Sequence, residues 1–297
     1  MRLQQFIARR LWLSLSQTNR LLESGAVIVD GRAAKREHKG HKLAAGQVIE
    51  VALFDRPAQQ RAVANAALDI DILAADEDAG WVVVDKPAGV PVHPLDPAEV
   101  GTVLNALIAR YPHMHGVGEG GLRSGVVHRL DVETTGTLLV ATKQDAWQRL
   151  RTAFKRHRVT KLYRAIVRGR LRGGREQKLH LVVARHKPAK VRVVEASQAD
   201  RPGVRLCDLR WRAVESFRDA TLVEIELGTG FLHQIRATFA HLGHPVAGDR
   251  HYGGDPPSEG EPVAARPLLH AWRLVIENVT VLSPYPSDLA TYIEKLR

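Results

Sequence analysis

One stretch near the middle of the chain, residues 124–143, constrains the fold more than any other. It reads SGVVHRLDVETTGTLLVATK, in which two apolar runs rich in β-branched residues flank a polar loop. Such runs favour strands, and strands on both sides of a polar loop hold its side chains at a fixed edge of the core. Gly136 lets the backbone leave the loop and enter the second strand. The pattern therefore predicts a rigid polar loop beside a sheet.

This loop carries the residue types that a carboxylate nucleophile needs. Asp131 lies two positions after Arg129, and the hydroxyls of Thr134 and Thr135 follow. A nearby cation and hydrogen-bond donors keep a carboxylate charged and oriented, as nucleophilic catalysis requires. A solvated hairpin turn would contain the same residue types, so the remainder of the chain has to decide between the two interpretations.

Positive charge is concentrated in one part of the chain. The net charge is +11, and residues 143–192 contain 17 Lys or Arg, against Asp145 and Glu176 as the acids. Eleven of these cations are Arg, which suits two-pronged contact with phosphate better than Lys does. The distribution favours a nucleic-acid partner over a merely solvated basic face.

Several segments together resemble one enzyme family. HRLDVETTG, beginning at His128, resembles the signature loop of the RluA-type pseudouridine synthases, although Thr135 stands where the family usually has Ser. KPAG at 86–89, KLYRAIVRG at 161–169 and TGFLHQIR at 229–236 resemble further family motifs, in the family's order. Phe231 departs from the family's usual Arg, which concerns RNA contact or substrate choice and not the nucleophile.

The resemblance implies a reaction and a set of site residues. The protein is expected to isomerise uridine to pseudouridine in structured RNA, with Asp131 as the nucleophile and Arg236 paired with it. Tyr163 is expected to stack on the target base, and Arg129 to fill the place that the flipped base leaves. The other residues expected to bind substrate are His128, Thr135 and Ile235. Attack at ribose carbon 1′ and attack at base carbon 6 both fit this set.

The expected substrate is large-subunit ribosomal RNA, with transfer RNA as the alternative. A non-catalytic RNA-binding or ribosome-assembly protein would share the basic surface but would not need Asp131, Tyr163 and Arg236 together. A glycosidase-like hydrolase would use paired carboxylates, for which the loop offers only Asp131 and Glu133. The isomerisation involves no redox change, so we expect no cofactor, and histidines such as His93 lack partners at the spacing of a metal site.

Hydrophobic periodicity predicts an α+β fold in two parts. Residues 1–54, with two amphipathic helices and short strands, resemble the αL RNA-binding module of the S-four type, and residues 55–67 are expected to form a linker. Residues 68–297 are expected to form the catalytic domain on a mixed, mainly antiparallel sheet with flanking helices. In the strand over 159–169, Leu162, Ala165 or Ile166, and Val167 are expected to face the core, whereas Lys161, Tyr163 and the arginines are expected to share other faces.

The composition also bears on the protein's surroundings. The single cysteine, Cys207, permits no intrachain disulfide. No apolar run reaches the roughly 18 residues that would span a bilayer, and the N-terminus lacks the apolar core of a signal peptide. We therefore expect a cytoplasmic monomer whose partner is RNA and which does not contact a membrane.

Overall fold

The structure, a computed structural model, describes residues 1–55, 59–186, 188–253 and 262–297. The chain forms two compact units, Met1–Arg56 and Pro57–Arg297. Residues 56–58 of the predicted linker lie outside the described residues. The last part of that predicted linker packs onto the larger unit, because Ala62 is buried in its core and Asn105 Nδ2 donates a 2.7 Å hydrogen bond to the carbonyl of Val63.

The smaller unit contains two helices and a three-stranded antiparallel sheet. Its elements are α1 (Leu3–Leu11), α2 (Leu15–Glu23), β1 (Val27–Val29), β2 (Arg32–Ala33), a 3₁₀ helix (Arg36–Gly40) and β3 (Ile49–Val51), with the strands in the order β2-β1-β3. Ser14 begins α2 with a reciprocal cap to Gln17, which satisfies backbone N–H groups that would otherwise be free. Leu3, Ile7 and Leu22 form its core.

The larger unit is built on one long mixed sheet. Its strands are β4 (Ile72–Asp76), β5 (Trp81–Lys86), β6 (Thr135–Ala141), β7 (Val159–Arg168), β8 (Gly174–His186), β9 (Ala189–Val194), β10 (Arg205–Ser216), β11 (Ala220–Leu227), β12 (Leu269–Ile276) and β13 (Val279–Leu282). Its helices are α3 (Val103–Arg110), α4 (Gln144–Lys155), α5 (Gln234–His241) and α6 (Ser287–Leu296). The order is β4-β5-β6-β12-β7-β11-β10-β8-β9, with β13 beside β12. Every neighbouring pair is antiparallel except β6 with β12, so the predicted α+β fold with a mainly antiparallel sheet is confirmed.

Among the described residues, no helix is long and apolar enough to cross a membrane.

The polar loop is not the turn of a regular hairpin. The first apolar run contributes only an isolated bridge between Val126 and Val140, whereas the second run forms β6. β6 runs parallel to β12, with Gly136 opposite Ala271. A Cβ at Gly136 would overlap the Ala271 carbonyl, and the φ of Gly136 is +107°, so only glycine permits this close approach. The loop therefore ends directly against β12.

The predicted core position of Val167 in β7 is confirmed, but the prediction that Tyr163 lies on another face is wrong. Tyr163 and Val167 share one face with Lys161 and pack into the main core, where Tyr163 is 6% exposed. Ile166, on the opposite face, is also buried, in a second cluster with Leu289 of α6. Because both faces of this central strand are covered, apolar residues occur at odd and even positions, and their pattern does not reveal which face bears the site.

Candidate active site

A cleft of about 1090 Å³ opens beside the polar loop, with residues of α4, the start of β7 and the segment 227–236 in its walls. Six of the seven predicted site residues line it, namely His128, Arg129, Asp131, Tyr163, Ile235 and Arg236. Thr135 is not part of its lining. It is buried, and its Oγ1 lies 2.9 Å from Nδ1 of His270.

Asp131 and Arg236 form an ion pair in this cleft. Arg236 Nη1 lies 3.4 Å from Asp131 Oδ2, although 105 positions separate the two residues. The expected pairing of Arg236 with Asp131 is confirmed. The Arg236 guanidinium is held by Asp249, to which Nε and Nη2 donate hydrogen bonds of 2.6 and 2.9 Å. Burial acts to lower the pKa of Arg236, but Asp249, together with Asp131 and Tyr252, outweighs burial and raises it. Arg236 thus presents a fixed positive charge to Asp131.

Two buried cations hold the backbone that follows Asp131. Lys86 Nζ donates a 2.7 Å hydrogen bond to the carbonyl of Val132, and binds the carbonyls of Pro87 and Val90 at 2.7 and 2.8 Å. Burial lowers the pKa of Lys86 to about 8. Arg266 Nη1 donates a 3.0 Å hydrogen bond to the carbonyl of Glu133. The two carbonyls after Asp131 are therefore fixed, which limits the movement of its side chain.

Arg266 is a positioning residue that the sequence did not reveal. Its Nε and Nη2 donate hydrogen bonds of 2.7 and 2.8 Å to the carboxylate of Asp288, at the start of α6. The residue precedes β12, in a segment without periodicity or an assigned role. In the sequence, Arg266 is only an arginine that precedes an apolar strand. That pattern does not distinguish a buried cation from an exposed one.

His128 and Arg129 are neighbours with different environments. His128 Nε2 accepts a 3.0 Å hydrogen bond from the backbone N–H of Leu139, and its ring stacks on Phe154 with centroids 4.7 Å apart. Burial lowers the pKa of His128 to about 3, so the ring is neutral. Arg129 is exposed, and no described residue accepts a hydrogen bond from its guanidinium. His128 thus anchors the loop, while Arg129 is available to a ligand.

Tyr163 and Ile235 form the apolar side of the cleft near Asp131. Both are buried in the main core cluster. Burial raises the pKa of Tyr163, and the charge of Asp131 raises it further, so the phenol keeps its proton at neutral pH. Ile235 lies in the first turn of α5, directly before Arg236, and its packing fixes that turn.

His233 is a further residue near Asp131 that was not predicted. Its Nε2 lies 3.9 Å from Asp131 Oδ2, and its Nδ1 lies 3.0 Å from the hydroxyl of Tyr252. The hydroxyl oxygen accepts a 2.8 Å hydrogen bond from the N–H of Val191, so its own proton is available for Nδ1. This network assigns the ring proton to Nε2, which faces Asp131. Burial lowers the pKa of His233.

The walls of the cleft are predominantly basic. Its cations are Arg123, Arg129, Arg151, Lys155, Lys161 and Arg236, and its acids are Glu119, Asp131 and Glu133. A cleft lined by one sign of charge attracts a ligand of the opposite sign. In the part of the chain that the structure describes, no group of three or more His, Cys, Asp or Glu could hold a metal ion.

The burial of His270, which contacts Thr135, makes stability sensitive to acid. His270 Nε2 lies 3.3 Å from the carbonyl of Ser283, and burial lowers the pKa of His270 to about 4. Unfolded His titrates near pH 6.5, so below that pH the unfolded chain takes up a proton that the folded chain refuses. We therefore expect the free energy of unfolding to fall between about pH 6.5 and 4, by up to about 1.4 kcal/mol per pH unit for this group.

Urea unfolding at several pH values tests this expectation. His93 and His128 also have lowered pKa values, so the wild-type dependence contains their contributions. His270→Gln should flatten the pH dependence without removing it. His113→Gln, at an exposed site, should leave it unchanged. An unaltered pH dependence in His270→Gln would contradict the assignment of a neutral buried imidazole.

Comparison with known proteins identifies the family of this chain. The family model of RNA pseudouridylate synthases matches residues 80–241, a span that includes the loop of Asp131 and ends with α5. The chain belongs to the RNA pseudouridylate synthase family. It is therefore an RNA pseudouridine synthase, an isomerase.

Relatives of this RNA pseudouridylate synthase cover the whole chain. An uncharacterized RNA pseudouridine synthase of Mycobacterium bovis is 36% identical over 312 residues, covering 100% of this chain and 94% of that protein. The ribosomal large subunit pseudouridine synthase D of Vibrio vulnificus is 34% identical, covering 100% and 91%. The solved structure of human RNA pseudouridylate synthase domain containing 4 shares the fold, with a TM-score of 0.60 at 23% identity, over 76% of this chain and 92% of that chain.

Proposed function

We propose that this protein converts specific uridines of large-subunit ribosomal RNA to pseudouridine, with Asp131 as the nucleophile. The ion pair between Asp131 and Arg236 inside a basic cleft carries the proposal. A carboxylate in a partly water-excluded site needs a permanent positive partner to stay charged, and Arg supplies one because it keeps its proton when buried. A protein that only bound RNA would gain nothing from directing a fixed guanidinium at one carboxylate.

The reaction rearranges uridine without adding or removing atoms. The bond between N1 and ribose C1′ breaks, the base turns, and C5 bonds to C1′. The proton on C5 leaves, and N1 gains one. The Asp131 carboxylate can form its transient covalent bond at C1′ or at C6, and it is released unchanged in either case. The core residues around the cleft keep water from the detached base.

Arg129 and Tyr163 have separate roles in this proposal. A base inside a helix is out of reach, so the target uridine must be flipped into the cleft. Arg129, exposed and without a partner among the described residues, is suited to occupy the space that the base leaves. Tyr163 lies in the same cleft as Asp131 and keeps its phenol proton, and the uracil can stack on its aromatic ring.

The choice of ribosomal RNA follows the relatives. Proteins of Vibrio vulnificus and Nitrosomonas europaea that are 34% and 33% identical to this chain are named ribosomal large subunit pseudouridine synthase D. Transfer RNA is the second candidate. The experiment incubates the protein with unmodified transcripts of both RNA classes and detects pseudouridine by carbodiimide labelling and primer extension. Stops at defined uridines of the ribosomal transcript are expected, whereas stops only in transfer RNA, or none, would overturn the proposal.

The smaller unit is proposed to contribute RNA affinity. Trp12 is 91% exposed at the end of α1, beside Arg9 and Arg10, which gives an aromatic surface flanked by cations. Removal of residues 1–56 should weaken binding of ribosomal transcript by about tenfold or more and reduce its salt dependence, because phosphate contacts are lost. Filter binding between 50 and 300 mM salt measures both effects. An unchanged affinity and salt slope would assign this unit some other role.

A further inference from the structure

Lys161 is a cation in the cleft that takes no part in the ion pair of Asp131 and Arg236. It lies near the start of β7, on the same face as Tyr163, and lines the cleft. Residues two apart on a strand are separated by about 6.6 Å, so the side chains of Lys161 and Tyr163 stand side by side. Tyr163 and Asp131 line the same cleft. Lys161 therefore lies next to Tyr163, on which the target base is proposed to stack.

The Lys161 ammonium lacks a hydrogen-bond acceptor among the described residues. The ring centre of Phe154 lies 5.8 Å from Nζ and covers one side. A Cβ built on Gly230 would lie 3.8 Å from Nζ, so the absence of a side chain at Gly230 leaves space near the ammonium. Burial lowers the pKa of Lys161, and Asp208 raises it only in part. An ammonium has three donors, and leaving them unused away from bulk water is unfavourable.

The surroundings of Lys161 favour an anion as the missing acceptor. The adjacent His128 is neutral and already bonded to the backbone of Leu139, so it cannot accept from the ammonium. The cleft as a whole is basic. A compact ammonium suits a single phosphate oxygen, and a charged pair of this kind forms stronger hydrogen bonds than a neutral acceptor.

We propose that Lys161, in a subsite walled by Phe154 and Gly230, binds the backbone phosphate adjacent to the target uridine. This inference rests on the proposed function, since it requires that Tyr163 and Asp131 hold the flipped uridine. The phosphate contact then adds to the binding of the nucleotide equally before and during the reaction.

Ethylation interference with Lys161→Met tests the subsite. Unmodified large-subunit ribosomal transcript is ethylated at random phosphates, and bound and free RNA are separated and mapped. In the wild type, ethylation of a phosphate adjacent to the isomerised uridine should reduce binding. In Lys161→Met that one signal should vanish while the others remain. Lys161→Arg should retain it, because the charge is kept, and Lys161→Gln provides a second neutral variant if the Met variant folds poorly.

Binding and turnover provide a second readout. Lys161→Met should weaken RNA binding by about tenfold. The slope of log affinity against log salt should fall by about 0.7 to 0.9, the value for one phosphate. KM should rise while kcat stays within about threefold, because Lys161 does not touch the reacting atoms. The control Lys295→Met, at an exposed position on α6 outside the cleft lining, should leave all three quantities unchanged.

The failure of the phosphate subsite and the failure of the proposed function give different results. If the wild type isomerises a uridine but Lys161→Met shows the wild-type interference pattern and salt slope, the phosphate subsite is overturned and the proposed function stands. If the wild type isomerises no uridine in either RNA class, the proposed function itself fails.

Discussion

Asp131→Asn should abolish pseudouridine formation, lowering the rate by at least about 10³-fold. The amide keeps the shape of the side chain but lacks the charge and nucleophilicity of a carboxylate. RNA affinity should stay within about threefold of the wild type, because affinity depends on phosphate contacts elsewhere in the cleft and on the basic surface. Carbodiimide mapping of the transcript measures turnover, and filter binding measures affinity.

Glu133→Gln is the matched control for this change. Glu133 is the other acid of the same loop, and it is the carbonyl of Glu133, not its carboxylate, that contacts Arg266. Its amide variant should therefore retain most of the activity. If Asp131→Asn retained turnover, the nucleophile would be misassigned. Equal losses in the two variants would instead indicate a pair of carboxylates sharing the work, as in a hydrolase.

Arg236→Met should have the largest effect on stability, about 3 to 5 kcal/mol. The change leaves Asp249, whose side chain is 1% exposed, as a buried charge without its partner. Activity should be lost as well, because Asp131 loses the guanidinium 3.4 Å away. Urea unfolding measures the first effect and carbodiimide mapping the second.

Two further variants separate the contribution of Arg236 to stability from its contribution to activity. Arg297→Met removes a two-pronged ion pair with Glu215 in which the arginine side chain is 61% exposed, so it should change stability by at most about 1 kcal/mol. Combining Arg236→Met with Asp249→Asn neutralises both members of the buried pair and should recover much of the lost stability. Turnover should remain absent in that double variant. Restored activity would show that Arg236 acts only as a structural partner of Asp249.

Much of the local structure could be predicted from the sequence. The strand predicted over 159–169 is β7, which spans Val159–Arg168, and the two helices predicted within residues 1–54 are α1 and α2. These elements depend on the spacing of apolar residues within one segment, and that spacing is fully present in the sequence. The motifs around Asp131 likewise indicated the family, because residue types at fixed spacing are a property of the chain itself.

The contacts that define the site were decided by the tertiary structure. Only the family resemblance, and not the spacing of apolar residues, indicated that Arg236 faces Asp131. In the fold, Asp249 holds the guanidinium in that position. The roles of Lys86 and Arg266 depend on which backbone carbonyls a buried cation meets, and no short-range pattern specifies that.

The faces of β7 show the physical reason most clearly. Burial on both sides of a central strand removes the alternation from which a face is predicted, so Tyr163 was placed on the wrong side of the sheet. The sequence by itself determined which residue types lie in which segments. Only the packing of β12 between β6 and β7, joining segments more than 100 positions apart, determined which of them meet.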